Sequence, residues 1–301
     1  MTPALIALAL AAAQAAPQSG GDAVQTYAAR VALQSADAAC DLLNPAERAL
    51  LDALAARSRD DAARAGDPPD ALDRFEARHG APPQDCDTAR ADAQPHRDHA
   101  AALAATHEIA FPGLHQSWIS ERRERGAPLW RVRQTANGRP AVLGLHAGPS
   151  GDVLTLALRT GAAPAFAVLI LRDPARQAAP LDFTAGGLLP APYADPLSAW
   201  GGAAGAQRRI PSRDRLSPET AARLAPADGA AALAFTFPDR AVEALRALAP
   251  REGVRVELIG ARGELVDTVW FEAGMFNAAL AVQALPLPEP DPAPAPAPAS
   301  R

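Results

Sequence analysis

The chain has 301 residues, 49% hydrophobic but only 5% aromatic, with a formal charge of −5 at pH 7. That length suits one large domain or two ordinary ones, and so mild a net charge implies neither a nucleic-acid nor a polyanion partner. All 29 basic side chains are arginine, so P-loop, Schiff-base, Ser-x-x-Lys and kinase-type lysine chemistry is excluded.

The chain begins with an apolar run, Ala4 to Ala13, that ends in Ala13-Gln14-Ala15. The run falls short of the roughly 20 residues needed to span a bilayer, and no later segment reaches that length. With small residues at its end it reads as a signal peptide over residues 1–15, which places the mature protein in the periplasm or outside the cell. No arginine precedes Arg30, and the other reading is a buried Ala-rich helix. No cysteine follows the expected cut, so no lipid anchor is predicted.

Cys40 and Cys86 are the only cysteines. In an oxidising compartment they predict a disulfide; in cytosol they would be two buried thiols. The chain between them reads as a helix over 45–65, a turn at Asp67-Pro68-Pro69, a helix over 70–79 and a loop through Pro82-Pro83. The first helix runs out about 30 Å and the second returns about 15 Å. The last loop covers up to ~20 Å, so the two sulfurs can meet. No Cys-x-x-Cys spacing supports a catalytic redox pair.

Residues 22–125 read as a helical region. Asn44-Pro45-Ala46-Glu47 is a start signal: Asn caps, Pro fits the first turn and Glu completes a capping box. Leu43, Leu50 and Leu54 then share a stripe, and Asp60 and Arg64 are placed to pair on the outer face. Gly66 and Gly80 stand where helices stop. Further helices are predicted near 86–94, 97–110 and 114–124.

Residues 128–284 read as a β-rich region with helices. Ala141–His146 and Asp152–Leu158 flank a Gly148-Pro149-Ser150-Gly151 turn, and Val254–Ile259 and Leu265–Phe271 flank Gly260–Gly263. Strands are also predicted at Ala165–Leu171 and Ala232–Phe237, and helices near 239–248 and 274–283. Meandering hairpins imply an antiparallel sheet, and the class is α+β. Residues 185–230 form a long Gly/Pro-rich connection, and 285–301 a disordered Pro/Ala tail.

Among candidate chemical groups, His96, His99, His107 and His115, with Asp92 nearby, are the best metal set. Steps of eight residues, however, drift about 80° around a helix, so one helix cannot aim His99, His107 and His115 at one ion. There is no His-Glu-x-x-His and no Gly-x-Ser-x-Gly. Ser212, His146 and Asp214 are a conceivable triad; the simpler reading is a turn with an Asp–Arg pair. Asp60-Asp61 reads as a solvated helix face, and the glycines of 201–205 follow no strand. The four tryptophans, Trp118, Trp130, Trp200 and Trp270, read as core anchors. No catalytic residue, metal or cofactor is assigned.

The candidate binding residues are Arg208, Arg209, Arg213 and Arg215, four guanidiniums within eight residues. Guanidinium forks bind carboxylates and phosphates bidentately, so the segment reads as a docking surface for an envelope protein or an anionic envelope component. The other reading is a structural loop whose arginines pair with acids elsewhere in the fold.

Cys40-Asp-Leu-Leu-Asn-Pro-Ala-Glu-Arg48 with Cys86, then Leu171-Arg-Asp-Pro174, Ile210-Pro-Ser-Arg-Asp-Arg-Leu216 and Trp270-Phe-Glu-Ala-Gly274, resembles exported proteins of GC-rich alphaproteobacteria. The likeness brings no function with it. The closing order from Phe235 to Leu280 (strand, helix, hairpin, then Gly274-Met-Phe-Asn-Ala-Ala-Leu280) is similar to the invasion-associated locus B family of envelope proteins. That family has cysteines in its β domain where this chain has none, so no site is carried over. The expected function is an exported, non-enzymatic binding or interaction module of the envelope. The alternative is a periplasmic hydrolase or metal-dependent enzyme without a recognisable motif.

Overall fold

In the computed structural model the described residues are 20–122, 129–148, 151–178, 204–227 and 230–287. The signal peptide expected over 1–15, Trp200 and the tail beyond Leu287 lie outside them.

The chain opens with five helices among the described residues: α1 (Gly20–Cys40), α2 (Pro45–Arg64), α3 (Pro69–His79), α4 (Cys86–Asp92) and α5 (Gln94–Ala104). The capping box at α2 forms as its residue types dictate. Asn44 Oδ1 accepts the Ala46 and Glu47 N–H groups, and Glu47 Oε2 accepts the Asn44 N–H at 2.9 Å. The corner from α1 to α2 turns on Asp41, at φ +49°, and on the buried Asp37. The Asp37 carboxylate accepts the Leu42 N–H at 2.9 Å and the Leu43 N–H at 2.8 Å, and it pairs with Arg48. Just past it, Cys40 at the end of α1 is disulfide-bonded to Cys86 at the start of α4, with Cα atoms 5.7 Å apart.

The helical stretch ends at Ala104, about twenty residues earlier than the sequence pattern suggests. The helix expected near 114–124 is instead a strand, β2 (Ser117–Glu121), paired antiparallel with β1 (Glu108–Pro112). Pro112-Gly113 between them is turn chemistry that no helix carries through. The period there is two: Trp118 and Ser120 are fully buried, and Ser117 is exposed.

The remaining strands are β3 (Trp130–Thr135), β4 (Ala141–Gly148), β5 (Gly151–Arg159), β6 (Phe166–Arg172), β7 (Gln207–Pro211), β8 (Asp214–Arg215), β9 (Ala232–Thr236), β10 (Gly253–Ile259) and β11 (Leu265–Glu272). With them come α6 (Pro218–Leu224), α7 (Arg240–Arg246) and α8 (Phe276–Ala284). Two antiparallel sheets result, a seven-stranded one ordered β1-β2-β3-β4-β5-β9-β8 and a four-stranded one ordered β11-β10-β6-β7. Alternate side chains fill the space between them: Leu143 and Leu145, Leu154 and Leu156, and Phe235 from one sheet; Leu169, Val254, Val256 and Phe271 from the other. On the opposite face of the larger sheet, Trp130, Val142, Ala157 and Ala234 pack with Ala221 and Leu224 of α6.

The helical region shares this core. Ala46, Leu50 and Ala53 of α2 and Ala100 and Ala104 of α5 belong to the same buried cluster as Ala278, Ala279 and Val282 of α8. Asp60 of α2 corrects the outer-face expectation. It does pair with Arg64, but it is buried, and its other oxygen meets Arg251 of the β-rich region at 2.5 Å. Asp60 is therefore an internal tie between the two regions and not a solvated carboxylate. At the chain's end, Arg122 donates to the Val282 and Leu285 carbonyls and so caps α8, a favourable place for a cation at a helix C-terminus.

Candidate functional site

The arginine-rich segment is not a loop. Gln207–Arg215 is an extended strand that passes from one sheet to the other: β7 pairs with β6 of the smaller sheet, and β8 with β9 of the larger. At the crossing, the Ser212 N–H donates to Ala167 O at 2.8 Å and the Arg213 N–H to Thr236 O at 2.7 Å. Consecutive N–H groups of an extended strand point to opposite sides, so β6 and β9 flank this segment and it joins the two sheets. Ile210 anchors it with a fully buried side chain, and the exposed Arg208 and Arg209, being consecutive, project to opposite faces of β7.

Each candidate arginine has a defined place. Arg208 Nη2 donates to Asp173 Oδ1 at 2.8 Å, Arg209 Nη2 to Glu257 Oε2 at 2.8 Å, and Arg213 Nε to Asp214 Oδ2 at 2.8 Å. Arg215 is exposed and has no ion pair among the described residues. Two of the carboxylates are shared. Arg176 Nε lies 3.7 Å from Asp173, and Arg255 Nη2 lies 3.0 Å from Glu257. Exposed ion pairs of this kind add little stability, so their main effect here is to orient guanidiniums that keep unused N–H donors. Hydrogen bonding to Asp214, and then its charge, raises the Arg213 pKa above its ordinary value.

Arg255, Glu257 and Trp270 were not foreseen as site residues. Arg255 donates to Gln207 Oε1 at 3.2 Å, and its guanidinium carbon lies 5.6 Å from the Trp270 ring centroid. The Val254-Arg-Val-Glu-Leu258 alternation carried a signal, since Arg255 and Glu257 two apart must share the face opposite the buried valines. What it did not show is that this face adjoins Arg209.

The other candidates do not converge. Ser212 Oγ accepts the Ala167 N–H at 3.1 Å, and Asp214 is engaged by Arg213. His146 sits on β4, three strands from β8, a separation of about 14 Å at the usual strand spacing. Its ring stands edge-on to Trp130 at 6.4 Å. Burial, reinforced by Arg223 and opposed by Asp152, lowers its pKa. His96 Nε2 lies 2.9 Å from Glu47 O, tying α5 to the first turn of α2. The backbone of His107 accepts from Arg122, and the His115 N–H donates to Glu272. Among the described residues no three His, Cys, Asp or Glu side chains come together to hold a metal ion. A cleft of about 250 Å³ between α1 and α2 is lined by Gln34, Asp37, Arg48 and Asp52, and these are already bonded in pairs, Gln34 with Asp52 and Asp37 with Arg48.

No described helix is long and apolar enough to cross a membrane. Comparison with protein-family models, curated proteins and solved structures gives no match.

Proposed function

We propose that the protein is an exported, non-enzymatic binding module of the cell envelope whose sheet-joining strand presents Arg208, Arg209, Arg213 and Arg215 to an anionic partner. The observation that carries the reading is a local excess of positive charge. Six arginines (Arg176, Arg208, Arg209, Arg213, Arg215 and Arg255) stand against four carboxylates (Asp173, Asp214, Asp239 and Glu257), on a chain whose formal charge is −5. A rigid strand held on both sides positions those donors better than a mobile loop would. Export is supported by the signal-like residues 1–15, the Cys40–Cys86 bond and the resemblance to exported proteins. The alternative of a hydrolase or metal-dependent enzyme has no comparable constellation among the described residues.

The test is sedimentation of the purified protein with envelope fragments at 50 and 300 mM salt, beside the R208Q/R209Q/R213Q/R215Q variant. Binding that falls by about tenfold with salt, and again with the variant, supports the reading. Binding indifferent to both would overturn it.

A further inference from the structure

Resting on that reading, we infer that the outer face of the four-stranded sheet binds an acidic polysaccharide, a chain of sugars bearing both carboxylates and hydroxyls. Arg209, Ile170, Arg255 and Trp270 are direct cross-strand neighbours on β7, β6, β10 and β11. They form one row about 14 Å long at the usual strand spacing. Ile170 is buried within it, whereas Arg209 and the half-buried Arg255 and Trp270 reach the surface.

The donors and acceptors of this row decide the chemistry. Arg209 and Arg255 share the single carboxylate of Glu257, so donor capacity remains for a ligand carboxylate. Yet the row also holds acceptors, Glu257 and the Gln207 Oε1 that Arg255 approaches. Each of these oxygens already accepts from a guanidinium, yet a carboxylate or carboxamide oxygen can accept a second hydrogen bond, which a ligand hydroxyl supplies and a bare polyanion does not. A carboxylated sugar chain satisfies both sets, and its apolar ring faces suit an indole on the outermost strand of this sheet. A bilayer fits less well. The exposed apolar side chains of this sheet, Phe166 and Leu265, flank Ile259 at its other end, four residues and about 13 Å from the arginine row.

The probe is an oligogalacturonate, titrated into the full chain and followed by tryptophan fluorescence and calorimetry at 50 mM salt. Binding is expected with a fluorescence change that W270F abolishes. W270F and R255Q should each weaken affinity by about tenfold, and methyl-esterifying the sugar carboxylates by at least as much. Both variants are checked for an unchanged melting temperature, and W270F keeps an aromatic ring, so loss of fold is separable from loss of binding. Equal binding of the methyl ester, or an unaffected W270F, overturns the inference. Polyphosphate and phosphatidylglycerol vesicles run in parallel. If either binds in an Arg208–Arg215-dependent way while the oligogalacturonate does not, the glycan inference falls and the anionic-partner reading stands. If none of the three binds, both fall.

Discussion

Gln116 and Glu272 hold each other twice. The Gln116 N–H donates to Glu272 Oε2 at 3.1 Å, and the Glu272 N–H donates to Gln116 Oε1 at 3.1 Å. The same carboxamide donates through Nε2 to Trp270 O at 3.2 Å, so it meets the edge of β11 as one residue of a parallel strand would. The buried Glu272 carboxylate also accepts the Leu114 N–H at 2.6 Å and the His115 N–H at 2.8 Å, and Trp118 Nε1 lies 2.9 Å from the Glu272 carbonyl. The smaller sheet is therefore fastened to the larger at β11 by side chains, and at its other margin by the continuous β7–β8 strand.

Glu272→Gln replaces one of two acceptor oxygens with a donor that faces backbone N–H groups. A loss of about 3 kcal/mol is expected, as for removing a buried charge-assisted hydrogen bond. Gln116→Ala should cost less, about 1–2 kcal/mol, because it leaves the carboxylate contacts in place. Urea unfolding measures both, and a Glu272→Gln variant as stable as the parent would contradict this account of the seam.

The Cys40–Cys86 bond closes a loop across a sequence separation of 46. Loop-closure entropy then gives about 4 kcal/mol of stability, less any strain. Unfolding with and without reductant should show the urea midpoint falling on reduction. The C40S/C86S variant should match the reduced protein and lose its sensitivity to reductant.

Asp37 sets a pH window. Burial alone would raise its pKa, but the hydrogen bonds from Arg48, Leu43 and Leu42 outweigh burial and hold it below the usual carboxylate value. A depressed carboxylate contributes stability that is fully present above the unfolded pKa of about 3.9 and is lost as pH falls through the folded value. Asp37→Asn should cost about 2 kcal/mol at pH 7, with the difference from the parent shrinking below about pH 4. A difference that stays constant down to pH 2 would show that Asp37 acts only through its shape.

Arg251 and Asp60 couple the helical and β-rich regions through a buried contact. A double-mutant cycle with Arg251→Gln and Asp60→Asn should give a coupling energy above about 1 kcal/mol. Because α2, α5, α8 and both sheets share one core, calorimetry is expected to show a single cooperative transition. Two resolved transitions would mean that the regions fold independently.

Local residue order was enough to define the α2 start at Asn44-Pro45, the Pro68-Pro69 turn, the two Gly-bounded hairpins and the cysteine pair. Each of these depends on residues a few positions apart, or on a reach that helix length alone sets. Local order misled where neighbours in sequence did not supply the partners. His107–Arg122 offered helix-forming residues on both sides of Pro112-Gly113, and only pairing with β3 and packing under α8 fixed its second half as a strand. Gln207–Arg215 read as a loop because arginines and two prolines, Pro211 and the later Pro218, hide its alternation. Its strand character comes from Ala167 and Thr236, the carbonyls on either side.

The candidate site divides the same way. The four arginines were visible as a run, whereas Glu257, Arg255 and Trp270 joined them only through strand register. By itself the sequence determined the elements whose driving forces are short-range: caps, turns, amphipathic stripes and a disulfide within reach. The tertiary structure alone decided which buried polar groups meet, because a group such as Glu272 finds its donors 156 residues away. A buried carboxylate must be satisfied somewhere, and no local rule names the partner that does it.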